Sequence, residues 1–142
     1  MEVVLLLANS AEPTPVGTVS ALGLGWSVTS TPTGPSAVVV FIKVPWDLTN
    51  RKHRMHLQLV DSDGKDVYFG KTPEGEDAPV EVRAEFEVGR PPGLLHGTEI
   101  DQAFPINIAP GLELTAGQIY QWRVRIDDVD MASRSFYVRP TI

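Results

Sequence analysis

Few side chains in this chain of 142 residues are of the types that carry catalysis or hold metals. Its histidines, His53, His56 and His96, come first, because imidazole is the commonest general base and metal ligand. His53 and His56 are three apart on a segment that reads as extended, so their rings point to opposite faces and cannot grip one ion. His96 lies in a Gly- and Pro-rich connection with no partner identifiable from spacing. All three read as ordinary surface histidines. The absence of cysteine removes disulfides, thiolate metal sites and Cys nucleophiles together, and fits a reducing interior. No serine sits in a G-x-S-x-G elbow, and no Gly-rich phosphate loop leads into a helix. No catalytic, cofactor-binding or metal-binding residue is assigned, and no cofactor is expected.

The acidic clusters read as turns. Asp61, Asp63 and Asp66 stand in D-S-D-G-K-D, which looks like a calcium loop until the spacing is checked. The Gly arrives early and the closing Glu is missing, since Glu74 lies well beyond the loop. Asp127, Asp128 and Asp130 form a second acidic turn, and two such tips at one end of a sandwich would hold at most a weak ion. Arg51-Lys52-His53-Arg54 is the one basic cluster and reads as a solvated loop. A net charge of −6 and a pI near 4.9 count against a nucleic-acid partner or an anionic membrane surface.

The elements that would position these groups are strands. From Ser36 to Trp46 the even positions Val38, Val40, Ile42, Val44 and Trp46 are bulky and apolar, which predicts one core face. The odd positions Ala37, Val39 and Phe41 are apolar too, so something must cover the second face. Pro45 ends the ladder because it has no N–H to donate. From 54 to 60, Met55, Leu57 and Leu59 alternate with Arg54, His56 and Gln58, and from 80 to 88 the valines, Ala84 and Phe86 alternate with Glu81, Arg83, Glu85 and Glu87. Each of those strands is wet on one face.

Further strands are predicted at 3–8, 18–30, 67–69, 104–108, 120–126 and 133–139, joined by polar loops at 9–17 and 71–79. Gly23 and Gly25 predict a bend inside 18–30. The connection 89–99 is expected to cross between sheets, with Leu94 or Leu95 closing the end of the core. With 12 Gly, 12 Pro and no capped helical period, the chain reads as all-β: one antiparallel immunoglobulin-like sandwich over residues 1–142, of eight or nine strands and without substantial helix. The apolar run Val3–Ala8 lacks a basic leader and is too short for a signal or spanning segment. A cytoplasmic location is expected.

The stretch Leu114-Thr-Ala-Gly117-Gln-Ile-Tyr120-Gln-Trp122 resembles the tyrosine corner of immunoglobulin-like and fibronectin type III sandwiches. The resemblance implies that the Tyr120 hydroxyl bonds back to upstream backbone while Trp122 faces the core. Over nearly the whole chain, LLLANSAE, VSALGLGW, VPWDLTNRKHR, EFEVGRPPG and YQWRVRIDD resemble a family of small uncharacterised bacterial proteins, often actinobacterial. That resemblance implies a stand-alone sandwich and brings no activity with it. Within its most distinctive segments Trp46, Asp47, Asn50 and Arg90 are candidate polar contacts, with a plain structural role, Trp46 in the core and Asp47 and Asn50 capping a turn, favoured over ligand binding.

Two strands apolar on both faces would leave an exposed patch if they share a sheet. Leu5, Leu7, Val39 and Phe41 are its candidate residues. A loop such as 9–17 or 89–99 covering the patch within the monomer is an equal alternative. The expected function is a non-enzymatic protein-interaction module, working through a protein partner or self-association, or else a structural subunit of an assembly such as a phage particle.

Overall fold

The computed structural model describes residues 1–140. Two sheets face each other. The smaller has the order β1 (Glu2–Ala8), β5 (Ser36–Val44), β10 (Ile100–Ile108). The larger has the order β4 (Val28–Thr29), β12 (Val129–Val138), β11 (Ile119–Ile126), β6 (Lys52–Asp61), β9 (Glu81–Glu87). Two small hairpins complete the set, β2 (Ser10–Pro13) with β3 (Val19–Leu22), and β7 (Tyr68–Lys71) with β8 (Asp77–Pro79). Between the two sheets lies a core that includes Val40, Leu57, Phe86 and Trp122. It is an all-β sandwich, as the alternation predicts.

Twelve strands are described, against an expected eight or nine. The loop at 9–17 contributes β2, the loop at 71–79 contributes β8, and the strand expected at 18–30 splits into β3 and β4. The split falls at the glycine pair, where Gly23 and Gly25 adopt φ of 65° and 99°. A side chain at Gly23 would meet Asn9 Nδ2 at 2.2 Å and have to displace it, on a backbone conformation that favours glycine. The pairing is antiparallel except between β4 and β12, where Tyr137 and Val138 run parallel to Val28 and Thr29. The connection from β9 to β10 does cross between sheets. Turns at Gly93 and Gly97 carry its leucines outward, leaving Leu95 81% exposed, and Val88 and Ile100 instead end the core there.

The expected bond from Tyr120 back to upstream backbone is present. Tyr120 is buried, and its hydroxyl accepts the Thr115 N–H at 2.9 Å. Trp122 is buried in the core two residues on.

Candidate functional site

Register decides which residues of the doubly apolar strands face outward. On β5, Val38, Val40, Ile42 and Val44 point between the sheets, and β1 sets Leu7 opposite Val38 and Leu5 opposite Val40. Leu5 and Leu7 are therefore 1% exposed core residues, which corrects their expected place on the outer patch. Their neighbours Val4 and Leu6, opposite Phe41 and Val39, take the outer face. A strand apolar on both sides carries no parity signal of its own, so its outward face read from sequence is displaced by one residue.

The β2–β3 hairpin lies across that outer face. Ala11, Val19 and Ala21 pack on Ala37 and Val39, burying Val39 to 7% exposure. Asn107 on β10 completes the attachment: its side-chain amide donates to Ala11 O at 2.8 Å and accepts the Ala11 N–H at 3.2 Å. A segment around 9–17 thus does cover part of the patch. The cover stops short of Phe41. Leu6, Val19, Leu24, Val39, Phe41 and Ala103 line an open apolar cleft of about 260 Å³ between hairpin and sheet. Leu24 on its wall is 53% exposed, and Val4, cross-strand from Phe41, is 40% exposed. At the cleft's end Lys43 Nζ meets Asp101 Oδ1 at 3.3 Å.

The other candidate residues meet at one end of the sandwich. Past β5, Pro45 starts a single 3₁₀ turn, Trp46–Leu48, since a proline N-cap needs no N–H. Trp46 leaves the core, where it was expected, and is half-buried under Arg90, whose guanidinium carbon is 4.0 Å from the ring centroid. Arg90 also donates from Nε to Thr49 Oγ1 at 2.7 Å and from Nη2 to Trp46 O at 2.9 Å. The His96 ring lies 4.8 Å from the Trp46 ring, so this histidine has a partner after all. Asn50, with φ of 57°, sends its N–H to Val88 O at 2.8 Å, while Asp47 is exposed. Trp46, Asn50 and Arg90 are brought together; Asp47 makes no contribution to the cluster.

Beneath that turn sits a histidine that the sequence places on the surface and the fold buries. His53 is 2% exposed, with Nδ1 2.7 Å from Asp127 Oδ2 and Nε2 2.7 Å from Leu48 O. Both partners are acceptors, so both ring nitrogens must donate, and the imidazolium is the form that satisfies them. Burial pulls the His53 pKa down, but the bonds to Asp127 and Leu48, helped by the Asp127 charge, outweigh it and hold it above the ordinary 6.5. Burial likewise pushes Asp127 up, and its bonds from His53 and the Arg54 N–H win, holding it below 3.8. Asp127 reaches this position because it and Asp128 adopt φ of 51° and 66° in the β11–β12 turn.

The two acidic tips are not at one end. β11 and β6 run antiparallel with Tyr120 opposite Asp61 and Ile126 opposite Met55, so the turns at 61–66 and 127–130 lie at opposite ends of β6. Their carboxylates are engaged locally. Asp61 Oδ1 accepts the Asp63 and Lys65 N–H groups, Asp128 meets Arg54 at 2.7 Å, and Asp130 meets Arg125 at 2.8 Å. His56 is on the opposite face from His53, as its spacing predicts, and is half-buried against Glu81 at 2.7 Å.

Among the described residues, no helix is long and apolar enough to cross a membrane. Comparison with curated proteins and with solved structures gives no match. The segments that build this end of the molecule, VPWDLTN and EFEVGRPPG, fall inside one family model. It spans residues 3–139, nearly the whole chain, and places the protein in a family of unknown function, DUF6941.

Proposed function

We propose that this protein is a non-enzymatic, immunoglobulin-like module of the bacterial cytoplasm that holds an apolar segment of a protein partner. The observation that carries this reading is the cleft beside Phe41, left open where the β2–β3 hairpin stops. Its volume of about 260 Å³ falls below the ~300–1,000 Å³ of small-molecule pockets and suits one or two side chains of a partner. Lys43 and Asp101 at its end offer a polar rim for a partner's backbone or charge. The acidic net charge supports a protein partner over nucleic acid or an anionic membrane. The tyrosine-corner bond supports the immunoglobulin-like description, the lack of cysteine supports the reducing compartment, and the sequence resemblance supports the bacterial source.

A photo-crosslinking residue in place of Leu24 tests this in native lysate. The expected outcome is a discrete adduct that disappears when Phe41→Glu is added, with the melting temperature unchanged. Adducts that are absent, or indifferent to Phe41→Glu, overturn the reading. A structural subunit of a larger assembly such as a phage particle is the second reading, and it is favoured by an open strand edge on the larger sheet.

A further inference from the structure

Sheet edges present unpaired N–H and C=O groups and recruit other strands unless something blunts them. Three of the four edges of the two main sheets are blunted. β4 covers only Tyr137 and Val138 of β12, whose longer free edge is interrupted by a bulge at Met131, β10 carries Pro105, and Arg134 Nε reaches from β12 to Leu5 O on β1 at 2.8 Å. β9 is different. Its seven residues contain no proline, pair with β6 without a register shift, and leave Arg83, Ala84 and Glu85 exposed in succession.

The free backbone groups of β9 can be identified. Arg54 turns both its N–H and its C=O toward Asp127, at 2.9 and 2.8 Å, and so away from β9. The odd-numbered residues of β6 then face β9, and their partners there are Val82, Ala84 and Phe86. Val88, in phase with these, accepts the Asn50 N–H on the same side. The N–H and C=O groups of Glu81, Arg83, Glu85 and Glu87 therefore point into solvent along the open edge.

We infer that a second copy of this chain docks along β9, antiparallel, about a two-fold axis at Ala84. In that register Ala84 meets its own copy, Val82 meets Phe86, and Arg83 lies opposite Glu85 of the second copy on both sides of the axis. The paired residues are those with free backbone groups, and opposite charges sit directly across from each other. Centring the axis on Arg83 or on Glu85 instead would set like charges face to face. At the ends Glu81 faces Glu87, and Glu81 is already held by His56 at 2.7 Å and by Arg83 at 3.5 Å. A seven-residue strand pair buries less than the ~1,200–2,000 Å² of standard stable interfaces, so the dimer is weak and concentration-dependent. The cleft beside Phe41 takes no part in it.

Sedimentation equilibrium of the full chain from micromolar to millimolar concentration tests the pairing. The expected result is reversible dimerisation, weakened roughly tenfold or more by Arg83→Glu and, separately, by Glu85→Arg. Combining the two substitutions in one chain restores it, and so does mixing the two single variants, because each combination again opposes Arg and Glu. Arg83→Pro removes an N–H that the fold does not use, and abolishes the dimer while the circular dichroism melt shows a folded monomer. A wild-type chain that stays monomeric at millimolar concentration overturns the inference. So does a dimer that survives Arg83→Glu and Arg83→Pro, or one lost with Phe41→Glu alone.

Discussion

The ring of His53 is clamped between Asp127 Oδ2 and Leu48 O, 2.7 Å from each, and so joins the β11–β12 turn to the 3₁₀ turn that carries Trp46. The clamp needs a protonated ring and an ionised carboxylate at once, which makes the stability of this end of the sandwich depend on pH. His53 has its folded pKa raised above 6.5, so its contribution is complete below that value and is lost as pH rises through the folded value. Asp127 has its pKa lowered from 3.8, so its contribution is complete above that value and is lost as pH falls through the folded one. Stability from the pair is greatest between about pH 4 and 6.5. His53→Gln should flatten the alkaline side of a melting-temperature profile, and an NMR titration of the wild-type ring should give a midpoint above 6.5. Because the Asp127 side chain is 45% exposed, the loss is set near the lower end for charge-assisted bonds, about 1.5 kcal/mol.

Tyr120→Phe isolates the corner bond. Removing the hydroxyl leaves the Thr115 N–H without its acceptor while the ring still stacks 6.0 Å from Phe136. A loss of about 1–1.5 kcal/mol in denaturant unfolding, at unchanged m-value, is expected.

Gly23 combines a positive φ with a close neighbour, and the two costs can be separated. Gly23→Ala should destabilise by about 2 kcal/mol or more through the clash with Asn9 and the left-handed backbone. In an Asn9→Ala background the contacts with Nδ2 and Cγ disappear and only the Asn9 Cβ, 3.2 Å away, remains, so the same substitution should cost little more than the backbone part, about 1 kcal/mol. A double-mutant cycle from chemical denaturation reads the difference.

Arg90→Lys keeps the charge while losing the planar stack on Trp46 and the paired bonds to Thr49 Oγ1 and Trp46 O. The expected loss is about 1 kcal/mol, with a change in tryptophan fluorescence as the Trp46 ring gains water. An unchanged emission spectrum would mean that the stack does not shield the indole.

The alternating strands at 54–60, 80–88 and 120–126 could be read in sequence because one face of each is wet, so polarity marks the inside. The same logic fails on β1 and β5. With both sides apolar, only pairing with a neighbour tells Leu5 from Leu6, and that information is not local. β2 is hidden differently: its Ser, Ala, Glu and Pro have weak strand preference, and its one small apolar side chain, Ala11, holds it by packing with Ala37 and Val39. His53 and Asp127 are 74 residues apart, and Trp46 and Arg90 are 44 apart. Motif VPWDLTN and motif EFEVGRPPG were visible, but their union is a property of the folded end. A lone histidine in alternation with polar residues gave no sign of burial, although its inward parity with Met55 and Leu57 was the available clue.

The side-chain amide of Asn107 stands in for a missing strand, and that substitution sets how the hairpin behaves. A ribbon held by one amide and a few alanine and valine contacts can lift as a flap without unravelling either sheet. Its amides should then exchange with deuterium ahead of those on β5. A guest too bulky for the closed cleft would enter by prising Val19 and Ala21 off Val39, and its affinity would be lowered by the fraction of time the flap stays shut.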